Sequence, residues 1–293
     1  MTAGLRERPA PPVASVALRT LAALEVRRYL RSPLFLIGVL LLVWATVVAT
    51  GDLGRNVMTA DPGDQDFLPA FCLGLLGVFV GHRLTRSLDA SGEAIAASPS
   101  DGVRRTAALC LACLVPGVVA LAWVGWMYTA LAVEDIPLSA AIGAGARAAM
   151  LLSGAVAAVG GPLFGVLVAR WVRFPGSALV GAVVLTGWVL VGTVSLAMPP
   201  SRAGTLLHLS APLTAWVSAD GPRSPAWVAG GSPGWYLGYL LLLCGLAATA
   251  ALLPSATGAR RGRLLGLLGV LGVAAVACLA LAVLPDPARI PLW

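Results

Sequence analysis

Lysine is missing from the chain, and all 20 of its basic residues are arginine. A Walker A phosphate loop needs its lysine and Schiff-base chemistry needs a side-chain amine, so the chain can perform neither. Histidine is nearly absent too. Neither His82 nor His208 has a carboxylate or cysteine at metal-ligand spacing, which argues against a zinc site. The five cysteines (Cys72, Cys110, Cys113, Cys244, Cys278) are odd in number and scattered through apolar runs, so they form no disulfide framework. Cys110 and Cys113 make a C-x-x-C, but inside an apolar helix they read as small apolar filler. Charge is scarce throughout. Only 11% of residues are charged, against about 25% in soluble domains. No polar stretch is long enough to enclose a core of its own.

What the chain has is apolar length. Hydrophobic residues make up 58% of the sequence, the mean hydropathy is +0.88, and several runs reach the ~18 uncharged residues that mark a membrane-spanning helix. The expected fold class is all-α: a polytopic helical membrane protein with six to seven transmembrane helices and an N-terminal interfacial amphipathic helix. Residues 1–14 are expected to be disordered and residues 15–293 to form one transmembrane domain. Spans are expected at about 34–50, 67–81, 106–133, 138–169, 176–197, 235–253 and 264–284. The first apolar run begins only after Arg31, too far in for a cleavable signal peptide.

Ser15–Arg31 has the spacing of an interfacial helix. Leu18, Leu21, Ala22, Val26, Tyr29 and Leu30 share one side, with Thr20, Arg27, Arg28 and Arg31 opposite, suited to anionic headgroups. Ser32–Pro33 then supplies an N-cap and an N1 proline for the first span. The polar segment His82–Arg105 lies between two apolar runs, and its middle, Ser87–Ala97, has the spacing of a short amphipathic helix. Pro116 is expected to kink the third span, Trp123, Trp126 and Tyr128 to sit at an interface, and Gly160–Gly161–Pro162 to break the fourth. The last two spans are expected to be joined by a basic turn, Gly258–Arg263.

Arginine placement sets the orientation. The N-terminal segment, His82–Arg105, Arg170–Arg173 and Arg260–Arg263 carry most of the arginines, whereas the alternate loops carry most of the acids. This bias puts the N-terminus in the cytoplasm, so the net charge of +7 is read as membrane topology and not as nucleic-acid affinity. Seven spans leave the C-terminus outside; a re-entrant last run, or two merged runs, gives six.

Arg147 has two readings: a functional charge at bilayer depth, or, the favoured one, a side chain within snorkelling reach of the outer surface. The spans contain no acidic residue, which argues against a proton-coupled carrier. Ser153–Gly154 has no histidine in any later span to serve as base, which argues against an intramembrane hydrolase. The span glycines suit close helix packing.

Three stretches resemble one family. Val26-Arg-Arg-Tyr-Leu-Arg-Ser-Pro-Leu-Phe35 looks like the opening of ABC type-2 transporter permeases. The succession Arg83, Arg86, Glu93, Ala97-Ser-Pro-Ser100, Arg104 is similar to their loop between the second and third spans, and Leu206–Trp216 is similar to the piece ahead of their sixth. The possible seventh span departs from the six-span pattern. The resemblance implies the permease subunit of a bacterial ABC exporter in the plasma membrane, itself not an enzyme, whose ATP and Mg are held by a separate ATPase subunit. It also implies a second permease copy or a related chain. ATPase coupling would run through Arg86, Asp89, Glu93, Pro99 and Arg104, and through the interfacial helix at Arg27, Arg28, Tyr29 and Arg31. The rival expectations are a scaffold or sensor subunit and, last, an intramembrane enzyme.

Overall fold

The computed structural model describes residues 12–53, 67–90, 101–133, 143–196, 201–219, 226–285 and 290–291. Helix α1 (Pro12–Leu30) turns at Arg31–Ser32 into α2 (Pro33–Leu53), and the two axes are bent by 61°. The helix begins at Pro12, so residues 12–14 are helical, and the rest of the expected disordered stretch lies outside the described residues. A π-helical segment, Ala70–Leu75, runs directly into α3 (Leu76–Ala90). Next come α4 (Gly102–Ala112), α5 (Val115–Val133), α6 (Ala144–Trp171), α7 (Ser177–Leu196) and the short α8 (Arg202–Ser210). Strands β1 (Val217–Ala219) and β2 (Ala226–Val228) precede α9 (Pro233–Leu252) and α10 (Gly258–Val283), and β3 (Ile290–Pro291) is the last described element.

The protein is thus predominantly helical. Among the described residues, five helices are long and apolar enough to cross a membrane: Gly102–Met127, Ala144–Trp171, Ser177–Ser195, Pro233–Ser255 and Gly258–Val283. The bent pair Leu18–Leu30 and Pro33–Val48 makes a sixth candidate. These apolar helices are compatible with a multi-pass membrane protein.

Pro116 does more than kink its span. The helix stops after Ala112 and restarts at Val115, because proline has no N–H to give the preceding turn. Gly160–Gly161–Pro162 does the opposite of what is expected, since α6 runs unbroken through it. The reason is tertiary packing. A Cβ at Gly161 would collide with the Gly74 backbone, one at Gly165 with Val78, and one at Gly81 with Pro162. These glycines let α6 approach the π-helical segment and α3 backbone to backbone, the small-residue contact of membrane helices. Gly266, Gly269 and Gly272 on α10 face open space instead. The expected basic turn Gly258–Arg263 is likewise corrected: those residues form the first turns of α10.

Helix α6 is the hub, packing on α3, α5, α7 and α9. Strands β1, β2 and β3 pair antiparallel in that order, with Trp227 opposite Pro291 and Val228 opposite Ile290. This pairing puts the C-terminal strand at the same end as the segment before α9, so α9 and α10 form a complete antiparallel hairpin. Gly231 seals the join: at φ +130, a region that favours glycine, it lets the Ser232 N–H donate to the Ala282 carbonyl at 2.9 Å.

Candidate functional site

Every described arginine-rich turn converges on one end of the bundle. Arg86 Nη2 donates to the Val172 carbonyl at 2.8 Å, tying α3 to the turn after α6. Arg170 Nη2 donates to Thr106 Oγ1 at 2.8 Å, joining α6 to α4. Arg260 pairs with Asp101 at 2.8 Å, joining α10 to the start of α4, and Trp171 Nε1 donates to the Ala250 carbonyl at 3.0 Å. His82 Nε2 and Ser177 Oγ lie 2.8 Å apart, fixing α3 against the start of α7. Asp101 also caps α4, accepting from the Val103 N–H. The exposed Arg260–Asp101 pair is worth at most about 1 kcal/mol; what these contacts do together is gather the charged turns.

Helix α1 belongs to this end. Its inward face carries Leu18, Leu21, Ala22, Val26 and Tyr29, as the spacing predicts, but its most buried pair is Glu25 and Tyr29. Leu24 and Leu30 point outward. The assignment of Leu30 to the apolar face is therefore corrected, and the face packs mainly on α4 of the same chain. Tyr29 is fully buried against Phe35, edge to face at 5.3 Å. Glu25 Oε1 accepts from Arg28 Nη1 at 3.1 Å, while its Oε2 and the Tyr29 hydroxyl are buried without a hydrogen bond. Arg28 also reaches Ser87 on α3, at 3.5 Å. Arg27 and Arg31 are exposed.

The other expected site residues divide. Arg104 is exposed in the first turn of α4, and Asp89 lies near the end of α3, which extends through residue 90. Glu93 and Pro99 lie outside the described residues, as does most of Ser87–Ala97. Arg147 stands in the first turn of α6, half-buried. Trp123, expected at an interface, is buried between helices and donates to Thr46 Oγ1 of α2 at 2.9 Å.

Sequence reasoning missed a groove. An apolar cavity of about 670 Å³ opens between α7 and α9, floored by α6 and the π-helical segment. Phe71, Phe164, Leu190, Leu243 and Leu268 are among its walls, and Thr186 and Thr193 are the hydroxyl side chains facing it. Between Val156 and Leu167 it follows α6 for about 16 Å at ~1.5 Å per residue, roughly half of a ~30 Å hydrocarbon core. Gly160 and Gly161 form part of its floor.

At the opposite end, α8 and the strands bury a polar group. His208 Nδ1 lies 3.3 Å from the Gly192 carbonyl, which places the proton on Nδ1. His208 Nε2, Thr214 Oγ1 and Trp216 Nε1 are buried without hydrogen bonds, and the His208 and Trp216 rings meet edge to face at 6.5 Å. Burial pushes the His208 pKa down to about 4, with the Gly192 and Ala215 carbonyls opposing it. No group of three or more His, Cys, Asp or Glu placed to hold a metal occurs among the described residues. Comparison with known proteins found no matching family model, no matching curated protein and no matching solved structure.

Proposed function

We propose that this chain is the permease subunit of an ATP-driven exporter in a bacterial plasma membrane, with six to seven spans, the arginine-rich end in the cytoplasm and ATP hydrolysis in a separate subunit. The observation that supports the reading is the gathering of α1, the end of α3, the start of α4, the turn after α6 and the junction of α9 with α10 on one end, linked by side-chain contacts. A chain without lysine has no Walker A loop, and a protein that moves cargo with ATP then needs a partner that binds the nucleotide. An end built from α1, α3, α4, α6 and α10 gives such a partner hold of several helices at once.

In this scheme the partner prefers one arrangement of the bundle, and its nucleotide cycle shifts the population between inward- and outward-open forms. A second copy or a related chain completes the pathway for an amphiphilic cargo. The test is affinity purification of the tagged chain from its native membrane. A Walker A-bearing ATPase at near-equal stoichiometry, with hydrolysis stimulated on reconstitution, is expected; its absence at stoichiometric amounts overturns the proposal.

A further inference from the structure

We infer that the groove between α7 and α9 holds the acyl chain of an anionic membrane phospholipid whose headgroup is gripped by Arg261. Two features on separate helices define the site. The walls are almost wholly apolar and enclose about 670 Å³ within helices long enough to span a bilayer. There the surrounding solvent is hydrocarbon, so a lipid chain fills such a space without desolvating anything polar. The second feature is the register of α10. Leu268 lines the groove, and Arg261 precedes it by seven residues. Two turns of helix put Arg261 within roughly 20° of the same face and about 10 Å nearer the basic end.

Helical side chains lean toward the N-terminus, so the Arg261 guanidinium reaches further still, to headgroup depth. Arg261 is exposed, whereas its neighbour Arg260 is engaged with Asp101. Trp171 stands at the same lip, its indole N–H on the carbonyl of the groove residue Ala250 and 56% of its surface exposed. This is the position of an interfacial tryptophan. A phosphate beside Arg261 and a chain running past Leu268, Leu246 and Leu243 match cation, amphipathic ring and apolar wall in that order.

The inference rests on the membrane reading and not on the ATPase. Its test uses the purified full-length chain alone, so its failure is separate from a failed co-purification. The probe is phosphatidylglycerol carrying a photoactivatable group in one acyl chain, added to the protein in neutral detergent and mapped by mass spectrometry. Labels concentrated on Leu243, Leu246 and Leu268 are expected, with unlabelled phosphatidylglycerol competing about five-fold better than phosphatidylcholine, the effect of one arginine at a membrane surface. Arg261→Glu is expected to remove that preference while leaving chain labelling in place, and Thr186→Trp to reduce labelling by filling the groove. Labels spread evenly over the exposed faces of α2 and α7, or a headgroup preference unchanged in Arg261→Glu, overturn the inference. The wild-type map decides the matter even if a variant does not fold.

Discussion

Arg86 donates to the carbonyl of Val172, the residue that caps α6, across 2.8 Å. A side chain expected to grip a partner thus holds the α6–α7 turn against α3. Cations suit the carbonyl-rich ends of helices, and the reach of arginine lets it contact the Phe174 carbonyl at 3.5 Å as well. Arg86→Ala is expected to lower unfolding stability in detergent by about 1 kcal/mol, with Arg86→Lys keeping part of it. Stability unchanged in Arg86→Ala, combined with lost ATPase stimulation, would restore the partner-gripping role.

Glycines of one composition play different parts on α6 and α10. Gly161→Val places a side chain in the Gly74 backbone, and the cost is expected to reach or exceed the ~1–3 kcal/mol typical of overpacking. Gly269→Ala meets nothing within 4 Å and is expected to cost nothing measurable. Thermal unfolding of the two variants checks the contrast, and equal effects contradict it.

Trp123 and Thr46 tie α5 to α2 within the bundle. A double-mutant cycle of Trp123→Phe and Thr46→Val is expected to give a coupling of about 0.6 kcal/mol, with ~1.7 kcal/mol as the upper end for such bonds in membranes. Additive single effects would mean that the two side chains do not meet.

His208 makes stability depend on pH at the end opposite the arginine-rich one, on the helix that Arg202 begins. Its folded pKa of about 4 lies below the unfolded value of about 6.5, so the unfolded chain binds the proton more tightly. Stability is therefore complete above about pH 6.5 and falls as pH drops toward 4, by an amount on the order of 1–3 kcal/mol. Unfolding temperatures measured from pH 4.5 to 8 should follow that slope, and His208→Phe should flatten it. An identical slope in the variant would assign the dependence to other groups.

The five long apolar helices and the common end of the basic segments were legible because both follow from composition, whereas the expected span at 67–81 is not among the helices long and apolar enough to cross a membrane. Hydropathy reports the solvent a helix needs, and arginine counts report which loops belong together. Partner choice is not written that way. Gly161 and Gly269 sit in equally apolar, glycine-rich runs, and only the facing helix separates a tight contact from an open surface. The burial of Glu25 beside Tyr29 was hidden because a charge is read as solvated until a neighbouring helix covers it. The groove arises from a gap between α7 and α9, which are distant in sequence and carry no local mark of it. The π-helical turn at Ala70–Leu75, part of its floor, has the same apolar signature as an α-helix. The segment from 201 to 228 is short, mixed and aromatic, so its helix and strand pairing depend on burying Trp216, Tyr236 and Val228 together.

Side-specific labelling of introduced cysteines tests the central claim, that the arginine-rich end is the cytosolic seat of a separate motor. Arg104→Cys marks that end and Arg202→Cys the opposite one, each made in a chain whose five native cysteines are replaced. A membrane-impermeant maleimide should label position 202 in intact cells and position 104 only in inverted vesicles. Labelling of position 104 from outside intact cells would contradict the account.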